Sequence, residues 1–218
     1  MENLQPPFTE TDSLKENHYW NTYGQDKIEA EQYYIDYFKQ HTSELIFLRP
    51  PYVYGENNYA QRESFIFEHL DHQKPIIIPN SNPKFQFIYT ADLAHIILNL
   101  ISCTLEPLSI FNVGNQQAVT TREWIDVCAK VTHQSAHIIE SDYQQDNRSI
   151  RDFFPFYDYD NALDVTKIKH LIPSETDFEA GLKQAYNWYV ENKNDILFKE
   201  DVVRNEAMIL EHNQKSRL

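Results

Sequence analysis

Tyr23 and Lys27 stand four residues apart in the stretch "NTYGQDKIEAEQYY". On a helix that spacing sets a phenol and an ammonium one above the other on a single face. A phenol has an ordinary pKa of about 10, and a nearby ammonium favours its ionised form. Such a pair trades a proton with a substrate hydroxyl or carbonyl. Spacing alone is weak evidence, because Tyr189 and Lys193 repeat it in "WYVENK", where the pair reads as a core aromatic beside a solvated lysine. The meaning of the first pair rests on the elements around it.

Apolar and aromatic residues recur at helical spacing from about Tyr19 to Gln40, giving a first helix with the pair at its head. The eighteen residues before it, with paired prolines, read as an ordered loop or frayed leader. "ELIFLRP" is a short continuous apolar run closed by prolines, the pattern of a strand buried on both faces in a parallel sheet. The segment "PYVYGENNYAQRESFIFEHLDHQ" turns through Gly55, Asn57 and Asn58 into a helix of about three turns. "PIIIP" and "FQFIY" read as strands joined by the turn "NSNPK", a side hairpin. Thr90 is the expected N-cap of "ADLAHIILNLIS", and Thr120 with Glu123 forms a capping box for "TREWIDVCAKVT". Strands are expected at "LSIFNVG" and "AHIIE", and an irregular interval from Asp142 to Asp160. Helices follow from about Ala162 to Leu171 and, behind a second capping box of Thr176 and Glu179, over "FEAGLKQAYNWYVEN". The last twenty or so residues form a charged tail. Alternating strands and helices predict an α/β architecture with a parallel sheet.

Composition narrows the chemistry. The 218 residues carry 19 basic and 33 acidic side chains, a net charge of −14, which repels polyanions and disfavours nucleic acid and anionic membranes. No apolar run approaches the roughly 20 residues a membrane helix needs. Two cysteines and no signal-type leader point to the cytoplasm. His69/His72 and His133/His137 are the nearest approaches to metal-ligand spacing; they read as solvated histidines, and no metal is expected. Gly24, Gly55, Gly114 and Gly181 are isolated, so no glycine-rich phosphate cradle assembles from them.

Order along the chain supplies the missing context. "TETD" (Thr9 to Asp12) precedes Tyr23 and Lys27, Glu31 follows in the same helix, and then come "FLRPPYVYG", "FQFIYTADLAHIILNLI", "IFNVGNQQAVTTREWIDVCAKVT" and "DVTKIKHLIPSETDFEAGLKQAYNWY". This series resembles the extended short-chain dehydrogenase/reductases, the NAD-dependent epimerase/dehydratase family, from about Pro7 to Asn192. "RPPYVYGENNY" and "FPFYDYDNALDVTK" are most similar to an atypical branch that includes the chloroplast stem-loop-binding proteins.

The resemblance implies the carboxy-terminal portion of an NAD(P)-binding Rossmann-type fold. Tyr23 takes the place of the general acid/base, and Lys27 that of the partner which also binds the nicotinamide ribose. Pro50 and Tyr52 fall beside the cofactor. Tyr52, Gln86, Arg122, Arg148 and Arg151 fall on the substrate side, the arginines suited to a diphosphate. Tyr52 stands where many epimerases have asparagine, and Gln86 where arginine is common, which leaves the sugar-nucleotide class open. The implied domains are a Rossmann remnant over 1–74 and 85–118, a substrate-binding part over 75–84 and 119–195, and the tail 196–218.

The family's glycine-rich βα units are absent from the sequence, on the order of a hundred residues. The chain therefore reads as an amino-terminally truncated member. It is expected to bind no NAD or NADP by itself, to be inactive alone, and to be poorly soluble or homo-oligomeric through an uncovered strand edge. The complete protein is expected to transfer hydride reversibly on a nucleotide sugar or related small molecule. The alternative is a non-catalytic protein on the same fold that binds RNA or another partner.

Overall fold

The computed structural model describes residues 5–15, 17–41, 43–145, 148–197 and 200–215. In chain order the elements are α1 (Asn21–Phe38), β1 (Leu45–Arg49), β2 (Tyr52–Tyr54), α2 (Glu63–Asp71), β3 (Ile76–Pro79), β4 (Lys84–Phe85) and β5 (Phe87–Tyr89). They continue as α3 (Thr90–Ile101), β6 (Leu108–Asn112), β7 (Val119–Thr120), α4 (Thr121–Thr132), β8 (Ile138–Ser141), α5 (Thr166–Leu171), α6 (Phe178–Glu191) and α7 (Glu200–Lys215). They form an α/β fold whose longer strand pairs, β1 with β6 and β3 with β8, are both parallel.

Two compact units share the chain, Met1–Val53, Gln86–Ala118 and Asn161–Glu175 in the first, and Tyr54–Phe85, Val119–Asp160 and Thr176–Leu218 in the second. This is not the division read from the sequence. The turn after β2 and helix α2 belong with the second unit, because α2 packs on α4 and α6. Asn161–Glu175 belongs with the first, because Phe8 bridges to Leu163.

In the first unit, β1 and β6 run side by side in the register Phe47 to Ile110. Strand alternation sends Ile46 and Leu48 toward a core of Ile88, Ile96, Leu100, Phe111, Val113 and Ile168. Leu45, Phe47 and Arg49 fall on the other face, where Arg49 pairs with Glu31 of α1. Helix α1 is long but shallowly seated: none of its residues is buried.

The second unit is built on aromatic packing. Trp124 lies 5.1 Å from Phe156, Phe85 lies 4.9 Å from Phe156, and Phe67 packs edge-on to Tyr186. The chain reverses through Gly55, whose φ of 129° excludes a side chain. Gly181 of α6 admits Tyr54, and a methyl group there would collide with the phenol hydroxyl. The carboxy-terminal helix α7 is docked, with Val202 and Ile209 buried and Glu206 2.9 Å from His69 Nε2. His69 Nδ1 lies 2.7 Å from the Phe65 carbonyl.

Local expectations are corrected at five places. His69, read as solvated, is buried between the Phe65 carbonyl and Glu206. β3 and β4 do not form a hairpin: β3 pairs with β8, and β4 pairs antiparallel with β7. Thr90 is the first helical residue of α3, whose N-cap is Tyr89 without a side-chain bond. At α6 the cap is Asp177, accepting from Ala180 N–H, in place of Thr176. The helix expected from Ala162 begins only at Thr166, since Ala162 to Asp164 is held extended against Phe8. The Thr120–Glu123 capping box is present with both of its reciprocal bonds.

Candidate active site

The leader is held by its own hydrogen bonds ahead of the helix. Thr9 N–H donates to Asp12 Oδ2 at 2.7 Å, closing "TETD" into a turn. Phe8 N–H donates to the Ala162 carbonyl and its own carbonyl accepts from Asp164 N–H, at 2.9 and 2.8 Å. Asn17 then shapes the entry to α1. Its side chain accepts from Tyr19 N–H, and its carbonyl from the N–H groups of Trp20 and Asn21.

Tyr23 and Lys27 therefore sit on the first turns of an anchored helix. The Lys27 Nζ stands 5.4 Å from the Tyr23 ring centroid, and the Trp20 ring centroid 5.8 Å from it, tilted. Tyr23 is 59% exposed. The two side chains are together, as their spacing predicts.

Sequence reasoning missed what holds this helix in place. Arg49, at the end of β1, donates from Nε to Glu31 at 3.1 Å and from Nη2 to the second carboxylate oxygen, a two-pronged ion pair. Its Nη1 reaches the Glu10 carbonyl at 3.1 Å. Glu10 in turn accepts from Asn112 N–H of β6 at 2.9 Å. One guanidinium thus joins leader, helix and strand, and with Arg49 and Glu31 only 19% and 14% exposed the pair is shielded from water. A signal was present: Glu31 lies eight residues after Tyr23 and four after Lys27, on the same face.

The other first-unit candidates lie beyond β1. Pro50 is exposed. Tyr52 is buried, its ring 6.1 Å from Phe87 and its N–H donating to the Gln86 carbonyl at 3.3 Å. Gln86 is buried with its amide fully committed. Nε2 donates to the carbonyls of Asn115 and Leu163 at 2.8 and 3.2 Å, and Oε1 accepts from Leu163 N–H at 2.7 Å. It clamps three chain segments together.

The three arginines all fall in the second unit. Arg122 pairs with Glu140 of β8, both about half exposed, and its N–H donates to Asn82 Oδ1 at 3.1 Å. The Arg151 guanidinium lies 5.1 Å from the Tyr157 ring. Arg148 N–H donates to the Tyr143 carbonyl. In the same unit the Glu63 carboxylate is buried, accepting from Gly55 N–H at 3.0 Å and from Asn58 Nδ2. Burial pushes its pKa above the usual carboxylate value, the Gly55 bond only partly offsetting this. The buried Cys128 thiol is raised well above its ordinary value by burial and by Glu63.

Among the described residues no group of three or more His, Cys, Asp and Glu side chains has metal-binding geometry, and no helix is long and apolar enough to cross a membrane.

Residues 2–114 match the model of the NAD dependent epimerase/dehydratase family. The chain is 30% identical over 144 residues to the chloroplast stem-loop binding protein of 41 kDa b from Arabidopsis thaliana, covering 64% of this chain and 38% of that protein. It is 28% identical over 188 residues to a putative UDP-glucose 4-epimerase of Methanocaldococcus jannaschii, covering 82% and 57%. It thus spans less than two thirds of the curated relatives it matches. Among solved structures, MoeE5 in complex with UDP-glucose and NAD superposes with a TM-score of 0.66 at 17% identity, over 85% of this chain and 60% of that one. The UDP-N-acetylglucosamine 4-epimerase of Methanobrevibacter ruminantium M1 gives 0.69 at 15% identity, over 87% and 59%.

Proposed function

The chain belongs to the NAD dependent epimerase/dehydratase family, and from that membership we propose that it carries the acid/base half of an enzyme acting on a nucleotide sugar or related substrate. The observation that carries this is the Tyr23–Lys27 pair on a helix locked to β1 by Arg49 and Glu31. Tyr23 exchanges a proton with a substrate hydroxyl or carbonyl through its phenol, and Lys27 supplies positive charge beside the ring. Arg49 is a positioning residue, acting through Glu31. Arg122, Arg148 and Arg151 are proposed to meet the substrate's diphosphate, while Pro50 and Tyr52 lie toward the cofactor. Gln86 acts on the substrate side by holding the Asn115 and Leu163 backbones in place.

The residues present fit only one end of a nicotinamide dinucleotide. Tyr23 and Lys27 suit the ribose, but a pyrophosphate needs a backbone cradle that side chains leave open. The glycines do other work here: Gly114 makes room for Gln86 and Pro51, Gly181 for Tyr54, and Gly24 for Trp20. No catalytic step is therefore drawn through the dinucleotide in this chain.

Titration of the 218-residue chain with NADH, followed by fluorescence, is expected to show no binding. Fused to a nucleotide-binding portion of a relative, the chain is expected to turn over a nucleotide sugar, and Tyr23→Phe to lose about 10²- to 10⁴-fold in rate. Full activity in the Tyr23→Phe fusion refutes the assignment. A second reading, an RNA-binding protein on the same fold, is supported by the 30% identity to the stem-loop binding protein and opposed by the charge of −14. A salt-dependent gel shift with stem-loop RNA would favour it.

A further inference from the structure

Helix α7 meets α2 at a buried polar contact. The side chains of His69 and Glu206 are only 3% and 11% exposed, and His69 Nε2 lies 2.9 Å from Glu206 Oε1. His69 Nδ1 lies 2.7 Å from the Phe65 carbonyl. The Phe65 ring covers the imidazole at 4.2 Å between centroids, with Phe154 edge-on to Phe65 at 6.3 Å. A carbonyl oxygen only accepts, so Nδ1 carries a hydrogen. A neutral imidazole has one N–H, which leaves Nε2 with a lone pair facing a carboxylate. The 2.9 Å contact therefore needs one more proton, on Nε2 or on the carboxylate.

We propose that α7 docks by taking up that proton, so that the helix is a strap that is closed in mildly acid solution and loosens as pH rises. Separated, the two groups titrate near their ordinary values, about 6.5 for an imidazole and about 4.3 for a glutamate. Between those values they already hold the one proton the docked pair needs, and docking takes up none. Above about 6.5 the free ring has lost it, and docking must bind a proton from water. Each further pH unit then weakens docking by up to about tenfold, until the docked pair itself gives up the proton.

What the strap holds is the turn beside it. Val202 and Ile209 are buried on the same face of α7 as Glu206. Asn205 Nδ2 donates to the Asp152 carbonyl at 3.2 Å, and Asp152 ends the 3-10 turn Ile150–Asp152 that carries Arg151. None of this depends on what Arg151 binds. Other charges stand around the pair. On α2, Glu68 lies 3.4 Å from His69 Nδ1, with Lys74 at 2.7 Å and His72 at 3.6 Å from its other oxygen. The turn brings Asp152, whose carboxylate accepts from Ser149 N–H at 3.0 Å, and Arg151, set over the Tyr157 ring. On α7, Arg204 is exposed. Glu68 and Asp152 are acceptors like Glu206, so neither replaces the missing proton. Glu63, also on α2, has its own partners in Gly55 and Asn58.

Hydrogen exchange of the 218-residue chain from about pH 5 to about pH 8.5 tests this, with exchange in α7 divided by that in α4 at each pH to remove the base catalysis common to all amides. The ratio is expected to be flat below about pH 6.5 and to climb above it by up to about tenfold per unit. The Phe153 and Phe154 amides, bonded to the Ile150 carbonyl, should rise in step. In Glu206→Gln the side-chain amide donates to an unprotonated Nε2, so α7 is expected to stay docked and the ratio to stay flat throughout. Glu63 titrates in both chains and drops out of the comparison. A flat ratio in the parent, a Glu206→Gln profile as steep as the parent's, or Phe153 and Phe154 amides indifferent to the opening of α7 overturns the proposal. Should Glu206→Gln leave α7 undocked at every pH, His69→Gln presents a donor to Glu206 without a titrating ring, and a climb in its ratio equally overturns it. The parent profile decides where neither variant docks.

Discussion

Replacing Arg49 by leucine should release helix α1 while leaving the second unit intact. The substitution deletes both prongs of the ion pair to Glu31 and the bond to the Glu10 carbonyl. It strands a carboxylate that is only 14% exposed. Removing one partner of a fully buried pair costs about 3–5 kcal/mol, and partial exposure here lowers that to about 2–3 kcal/mol. Helix α1 has no buried residue to compensate. The loss should therefore appear as local opening, and 2–3 kcal/mol corresponds to roughly 30- to 150-fold faster amide exchange. Hydrogen exchange read by mass spectrometry over 21–38 measures it, with α4 and α6 as internal references. Glu31→Gln keeps one acceptor and should fall in between, near tenfold. Unchanged exchange in α1, or equal acceleration in α4 and α6, would refute the idea that this pair holds the Tyr23 helix.

Gly181→Ala should destabilise the second unit by about 1–3 kcal/mol, read as a lower thermal midpoint, because its methyl collides with the Tyr54 hydroxyl; Tyr54→Phe should restore part of the loss. Thr120→Ala removes both the bond from Glu123 N–H and the hydroxyl contact to the Glu123 carboxylate and should cost about 1 kcal/mol in chemical denaturation. Glu63 gives a pH signature. Its folded pKa lies above the unfolded one, so the folded state holds its proton more tightly. The associated stability is complete below the ordinary value of 4.5 and is lost as pH climbs through the raised folded value. The urea midpoint of Glu63→Gln should fall less over that climb than that of the parent, and parallel curves would contradict the assignment.

The parts of the fold legible in the sequence are those decided by nearby residues. α1 and β1 follow from periodicity and a closed apolar run, and the Thr120 cap from a four-residue pattern. Pairing is a different matter: "PIIIP" and "FQFIY" look like a hairpin because they are adjacent, yet the first finds its partner about sixty residues on, at β8. Caps fail where two candidates stand side by side, as with Thr176 and Asp177. In the site, Tyr23 and Lys27 were visible as residue types at a spacing. The Arg49–Glu31 pair spans eighteen positions, and only the packing of helix on strand brings it into being. Gln86 shows the converse, a residue assigned to substrate by position whose polar atoms the backbone takes up.

Glu10 is the point at which the leader holds both strands: its carboxylate accepts from Asn112 N–H of β6 and its carbonyl from the Arg49 guanidinium of β1. Cleavage after Asp12 would take both acceptors away at once, so a chain nicked there should show faster amide exchange at Asn112 and in α1, with α4 and α6 unchanged.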